Sequence, residues 1–184
     1  MTTVFFVRHA KPNYNNHNNS LRELTSEGIK DRKLVTKFLI NKNIDVILSS
    51  PYKRSIDTVK EFADLLGIDI ELIDNFRERK ISDNWIKNFT SFSKKQWNDF
   101  SYKLDGGESL EEVQKRNIAS LNKVVDKYNG KNRVIGTHGS SLRTIINYYD
   151  SSFGFEEFNK IRKKMPWIVE MVFDENNKIA DIYN

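Results

Sequence analysis

The chain has 184 residues, of which 38% are hydrophobic and 30% are charged, a composition that fits one globular domain. It contains no cysteine, which excludes a disulfide scaffold, a cysteine zinc site and a cysteine nucleophile, and favours a cytoplasmic protein. No apolar run is as long as a membrane span, and no signal-peptide pattern begins the chain. The net charge of +5 indicates a lysine-rich surface, or a field that attracts small anions or weakly contacts nucleic acid. No nucleic-acid motif supports the last alternative.

The first predicted strand covers residues 4–7 and leads directly into Arg8 and His9. A continuous run of strand-forming apolar side chains is typical of a buried strand. Ligands of open α/β sheets bind beyond the carboxyl ends of the strands, so both residues are candidates for a site. Residues 11–20, which include His17, are rich in asparagine and predict a loop. This loop is either a flexible connection or part of a substrate site.

A helix, a strand and a second helix are predicted next. The first helix is capped at residue 25 or 26, and the second strand covers residues 45–49. Ser50 followed by proline is typical of a helix start, which places Arg54 in the first turn of the second helix. Gly67 is predicted to end that helix. The first helix is expected to turn one apolar face inward, formed by Leu34, Val35, Phe38 and Leu39.

The pattern weakens after a third predicted strand at residues 68–73. Residues 75–107 mix charges with aromatic side chains and lack a long apolar stripe. We expect this segment to be an irregular helical excursion that covers one side of the site, within a single domain of residues 1–184. Its aromatic side chains are expected to dock on the core.

The C-terminal half continues the alternation of helices and strands. A capping box at residues 109–112 opens a helix, and a buried strand at 133–137 ends at His138. Two further strands are predicted at 167–173 and 178–183. The alternation predicts an α/β three-layer sandwich with a mostly parallel central sheet and helices on both faces.

Cationic and imidazole side chains follow three of these buried strands. Arg8, His9, Arg54 and His138 meet at one sheet edge if the strands are parallel, where two guanidiniums can grip a tetrahedral anion. One imidazole can then attack phosphorus while the other donates to the phosphoryl oxygens, and backbone amides after Gly139 add positive potential. Three histidines, no cysteine and neighbouring arginines disfavour a metal site. A serine hydrolase is less well supported because the G-x-S-x-G elbow is absent.

Five motifs occur in the order of a known family. They are R-H-A at residues 8–10, L-T with a glycine at 24–28, S-S-P-x-x-R-x-x-x-T at 49–58, G-E-S with a later arginine at 107–116, and H-G closing 134–139. Together they resemble the histidine phosphatase (phosphoglycerate mutase-like) superfamily, in its R-H-G branch with a glutamate acid. Ala10 replaces the usual glycine of R-H-G, which we expect to be tolerated.

The resemblance implies a role for each matched residue. His9 is implied to carry the phosphoryl group, with Arg8, Arg54 and His138 around it. Further substrate or phosphate contacts are expected from Asn15, Gly139 and Ser140. The acid that protonates the leaving oxygen is implied to be Glu78, because Phe76-Arg77-Glu78 resembles the family's L-R-E. The residues after Glu78 depart from the family pattern, so Glu108 is kept as the alternative acid.

The predicted function is a phosphatase that acts on a small phosphorylated metabolite through a covalent phosphohistidine. The alternatives are phosphoglycerate mutase-type transfer, which the short chain disfavours, and binding of a phosphorylated ligand without turnover. The resemblance implies no metal or other cofactor. Neither a membrane nor a nucleic acid is an expected partner. The identity of the substrate and the oligomeric state do not follow from the sequence.

Overall fold

The computed structural model describes residues 1–176 and 178–183, and within them six strands and six helices. The strands are β1 (Thr2–Arg8), β2 (Val46–Ser49), β3 (Ile70–Leu72), β4 (Arg133–Thr137), β5 (Trp167–Phe173) and β6 (Ile179–Tyr183). The helices are α1 (Ser26–Leu39), α2 (Lys53–Leu66), α3 (Phe89–Asn98), α4 (Leu110–Lys127), α5 (Gly139–Tyr149) and α6 (Phe155–Ile161). Asn177, in the predicted turn before β6, lies outside the described residues. Of the helices described, none is long and apolar enough to cross a membrane.

The six strands form one sheet in the order β3-β2-β4-β1-β5-β6. The four strands from β3 to β1 pair in parallel, and β5 and β6 add antiparallel pairs at one side. Arg8 pairs with Thr137, and Ser49 pairs with Gly136, so β1, β2 and β4 end at the same edge. The predicted mostly parallel α/β sheet is confirmed, and it brings the three predicted strand ends together.

The two faces of β1 pack against different helices because successive side chains point to opposite sides of the sheet. Val4 and Phe6 belong to a core cluster with side chains of α4 and α5. Phe5 and Val7 belong to a second cluster with side chains of α1 and α2. Burial of each such large apolar side chain stabilises the fold by about 1.5–3 kcal/mol. The predicted three layers are therefore present.

Helices α3 and α6 form a third cluster, which we name the helical cap. Trp97 of α3 and Phe158 of α6 pack with Leu110 at the start of α4. Phe89 and Phe155 lie at the margin of this cluster. The sequence pattern did not predict α6, since its seven residues are too short to establish a helical period.

Two local predictions were wrong. Helix α2 begins at Lys53 with Tyr52 as its N-cap, two residues after the predicted start, because the Ser50 hydroxyl pairs with His138 and the Tyr52 amide instead. On α1 the expected inward face is narrower than predicted, since the side chains of Leu34 and Phe38 are 60% and 42% exposed. The capping box at Ser109 forms as predicted.

Candidate active site

A cavity of about 740 Å³ opens beyond the carboxyl ends of β1, β2 and β4. Six of the predicted site residues line it, namely Arg8, His9, Arg54, Glu78, Gly139 and Ser140. His138 is fully buried beside His9, with ring centroids 5.3 Å apart. Asn15 is exposed and does not line the cavity, whereas Asn19 of the same loop does.

The tautomer of His9 is fixed by its own backbone. Its Nδ1 lies 2.8 Å from the carbonyl oxygen of Ala10, and a carbonyl only accepts, so Nδ1 carries the proton. The lone pair on Nε2 is therefore available for attack. Burial, followed by the charges of Arg54 and Arg8, lowers the pKa of His9 well below its ordinary value of 6.5. The ring is consequently neutral at physiological pH, which is the form a nucleophile requires.

His138 is held from the neighbouring strand end. Its Nε2 forms a hydrogen bond of 2.7 Å with the hydroxyl of Ser50, and its Nδ1 has no hydrogen-bond partner among the described residues. Burial, followed by the charge of Arg54, lowers the pKa of His138 well below 6.5. Ser50 thus orients the second imidazole, which explains why a serine follows β2 at this place.

Arg8 and Arg54 both line the cavity near His9. Arg54 donates from Nη1 and Nη2 to the carbonyl and side-chain oxygens of Asn19, at 2.5 and 3.0 Å. Arg8 donates from Nη1 to the carbonyl of Lys164 at 2.8 Å, and its Nε has no hydrogen-bond partner in the part of the chain that the structure describes. Burial lowers the pKa of Arg54 to about 10, so the group still carries its charge at neutral pH. Both guanidiniums are anchored by neutral oxygens and keep their charge for an anionic ligand.

Glu78 occupies the wall beside α5. Its Oε2 accepts from the backbone amide of Ser140 at 3.2 Å, and its Oε1 accepts from the amide of Arg79 at 2.8 Å. A carboxylate with this placement can exchange a proton with a group bound in the cavity. Thr58, a further residue of the matched motifs, accepts from the amide of Ala10 at 3.0 Å and ties α2 to the end of β1.

Glu108 lies outside the cavity and supports the segment that carries Glu78. Arg116 donates to both carboxylate oxygens of Glu108, at 2.8 and 3.0 Å. The same guanidinium donates to the carbonyls of Asn75 and Arg77, at 2.5 and 3.0 Å. Burial alone would raise the pKa of Glu108, but hydrogen bonds from Arg116 and the Lys80 amide lower it overall. This geometry favours Glu78 over Glu108 as the candidate acid.

Comparisons with known proteins agree with this geometry. The model of the histidine phosphatase superfamily (branch 1) matches residues 4–184. The chain belongs to this superfamily. A putative phosphoserine phosphatase 2 from Hydrogenobacter thermophilus is 28% identical over 158 residues, covering 79% of this chain and 77% of the relative. An uncharacterized phosphatase PhoE from Bacillus subtilis is 25% identical over 188 residues, covering 100% of this chain and 95% of the relative.

Solved structures support the fold of this histidine phosphatase. A phosphoserine phosphatase from Entamoeba histolytica, in complex with 3-phosphoglyceric acid, superposes with a TM-score of 0.79 at 20% identity. The match covers 100% of this chain and 98% of that one. The predicted family, the phosphoglycerate mutase-like fold and the class of activity, a histidine phosphatase, are confirmed.

Several residues of the cavity were not predicted from the sequence. Asn19, Arg22 and Arg143 all line it. Arg143 lies on α5, about one helical turn after Gly139. Because α5 follows a predicted strand end, this position could have marked Arg143 as a candidate site residue. Arg22 donates from Nε to the carbonyl of Asn16 at 2.7 Å, and only the folded loop brings it to the cavity.

Proposed function

We propose that this histidine phosphatase hydrolyses a small phosphorylated metabolite in two displacements through phosphorylated His9. The observation that carries the proposal is the neutral His9 ring, whose Nε2 lone pair is available in a cavity walled by arginines. An imidazole in this state is a nucleophile for phosphorus, and guanidiniums stabilise the charge on the phosphoryl oxygens. Because cysteine is absent, we place the reaction in the cytoplasm.

In the first displacement, Nε2 of His9 forms a bond to phosphorus while the bond from phosphorus to the ester oxygen breaks. Arg8 and Arg54 hold the phosphoryl oxygens. Glu78, in its protonated form, gives its proton to the leaving oxygen, so that an alcohol departs rather than an alkoxide. In the second displacement, a water attacks phosphorus, the bond to Nε2 breaks, and Glu78 takes the proton of that water.

Two alternatives compete with hydrolysis. A mutase would return the phosphoryl group of His9 to a second hydroxyl, and a binding module would hold a phosphorylated ligand without turnover. The relatives named as phosphatases support hydrolysis over both. The name of the Hydrogenobacter relative makes phosphoserine the first metabolite to assay. The proposal includes neither a nucleic acid nor a membrane as partner.

The test is release of inorganic phosphate from phosphoserine and from p-nitrophenyl phosphate, with isomers of the ester monitored in parallel. We expect His9→Ala to abolish release from both. Glu78→Gln should lower kcat/KM for the alkyl ester by about 10²- to 10⁴-fold, and far less for the nitrophenyl ester, because kcat/KM reports the first displacement and nitrophenolate leaves without an acid. The value of kcat should fall for both esters, because the second displacement needs Glu78 as its base. Glu61→Gln is the matched control, because Glu61 lies on α2 and contacts Thr36 away from the cavity. Wild-type rates in His9→Ala would contradict the proposal, and isomer formation without phosphate release would support a mutase.

A further inference from the structure

The cavity holds more positive charge than one phosphoryl group neutralises. Its lining contains two carboxylates, Glu78 and Asp83, against seven cationic side chains: Arg8, Arg22, Arg54, Arg79, Arg143, Arg162 and Lys163. Within residues 1–176 and 178–183, none of these seven cations forms an ion pair. A bound phosphomonoester dianion would leave the lining with a net positive charge. Five of the seven, all but Arg162 and Lys163, are buried. Buried charges without an opposite charge are costly, so the excess indicates a second anionic group on the ligand.

Arg143 and Arg79 stand out because both are buried against the helical cap. The guanidinium carbon of Arg143 lies 4.5 Å from the ring centroid of Phe158 on α6, and its Nη2 donates to the carbonyl of Ile161 at 3.1 Å. The guanidinium carbon of Arg79 lies 5.7 Å from the ring centroid of Phe89 on α3. Each arginine is 2% exposed and lines the cavity. Nη1 of Arg79 donates to the side-chain oxygen of Gln96, and the Nε of each arginine has no hydrogen-bond partner among the described residues.

Arg79 lies close enough to Arg143 for its charge to contribute to the lowered pKa of Arg143. Arg8 and Arg143 share an acceptor, since Nη1 of Arg8 also reaches the carbonyl of Ile161, at 3.3 Å. A Cβ added at Gly139 would lie 3.1 Å from both the Nη1 of Arg143 and the Nε of Arg8, so these nitrogens are within roughly twice that distance of each other. Burial, followed by the charge of Arg8, lowers the pKa of Arg143 to about 9. An anion held by Arg143 would thus lie close to the phosphoryl group.

We propose that Arg143 and Arg79 form a second anion site, which binds a carboxylate on the leaving group of the substrate. The inference rests on the proposed phosphatase function and narrows its substrate class to phosphomonoesters of short hydroxy acids. The planar fork of a guanidinium matches a carboxylate through paired charge-assisted hydrogen bonds. The rings of Phe158 and Phe89 exclude water from one side of these bonds, which strengthens them. Because the guanidiniums of Arg143 and Arg8 lie close together beside Gly139, the carboxylate must be only a few bonds from the ester oxygen.

Matched pairs of substrates test this site, because they differ only in the carboxylate. Phosphoserine is compared with phosphoethanolamine, and 3-phosphoglycerate with glycerol 3-phosphate. We expect wild type to prefer the acid of each pair in kcat/KM by about 10-fold or more. Arg143→Gln and Arg79→Gln should lower kcat/KM for the acids by about 10- to 100-fold, and change that of the partners without a carboxylate by less than about 3-fold. Arg143→Lys keeps the charge but lacks the planar fork, so its kcat/KM for the acids should lie between those of wild type and Arg143→Gln.

The control is Arg32→Gln, because Arg32 lies on α1 outside the cavity and pairs with Glu61. Hydrolysis of p-nitrophenyl phosphate and its inhibition by inorganic phosphate report whether each variant is folded and binds at His9. An equal loss for both members of a pair, or no preference in wild type, would overturn the second site while leaving the phosphatase intact. If wild type released no phosphate from any ester, the proposed function itself would fail. Should Arg143→Gln not fold, Arg79→Gln and Arg143→Lys decide the question by the same comparison.

Discussion

Acidification is expected to destabilise this protein through His9 and His138. Burial and the neighbouring arginines lower the pKa of both well below 6.5, so the folded chain keeps them neutral. In the unfolded chain each histidine binds a proton as the pH falls below about 6.5. A proton bound only by the unfolded state favours unfolding, so the stabilisation is complete above that pH and is lost below it. From about pH 7.5 to about pH 5.5 the loss is on the order of 1 kcal/mol for each histidine, and roughly 2–3 kcal/mol for the pair.

Urea unfolding followed by circular dichroism measures this loss, in a buffer without phosphate so that no ligand stabilises the folded state. The reference is the double variant His9→Gln/His138→Gln, which lacks both groups but keeps His17 and every carboxylate. Wild type should lose roughly 2–3 kcal/mol more than the double variant between the two pH values. The reasoning is refuted if both proteins lose the same free energy of unfolding.

Two further substitutions probe the supports of the site. Arg116→Gln removes the donor that holds the backbone around Glu78, and we expect kcat/KM for alkyl phosphates to fall by about 10- to 100-fold, with a smaller fall for p-nitrophenyl phosphate, whose first displacement needs no acid. Equal falls in kcat/KM for both esters would show that Arg116 does not act through Glu78. Trp85→Ala removes a ring that stacks on His17, with ring centroids 4.2 Å apart. It should raise KM by about 5-fold at nearly constant kcat, because the loss of an aromatic pair costs about 1 kcal/mol. An unchanged KM would show that this stack does not order the loop for substrate.

The strand ends that define the site could be predicted because their signals are local. The apolar run before Arg8 and the strand before His138 are continuous, and buried strands with such runs end where polar residues begin. The strand Arg133–Thr137 was predicted with the bounds that the structure has. The convergence of these ends followed from parallel pairing, which the alternation of helices and strands already required.

The remaining contacts depend on tertiary structure. On α5 every residue from 139 to 146 is buried. Arg143 therefore faces the cavity, although an amphipathic pattern would place a polar side chain such as this one at the solvent. Periodicity does not distinguish these two environments. In the first loop, Asn19 rather than Asn15 lines the cavity because the guanidinium of Arg54, on α2, binds the backbone and side-chain oxygens of Asn19.

The most direct test of the account is to trap the phosphorylated enzyme. Wild type and Glu78→Gln are mixed with p-nitrophenyl phosphate, quenched in base within the first turnover, and mapped by mass spectrometry. The first displacement on this ester needs no acid, whereas the second needs the base, so Glu78→Gln should accumulate a phosphoryl group on His9. The label should survive base, disappear in acid and be absent from His9→Ala. Phosphate release with no label on His9 in either protein would contradict the covalent mechanism.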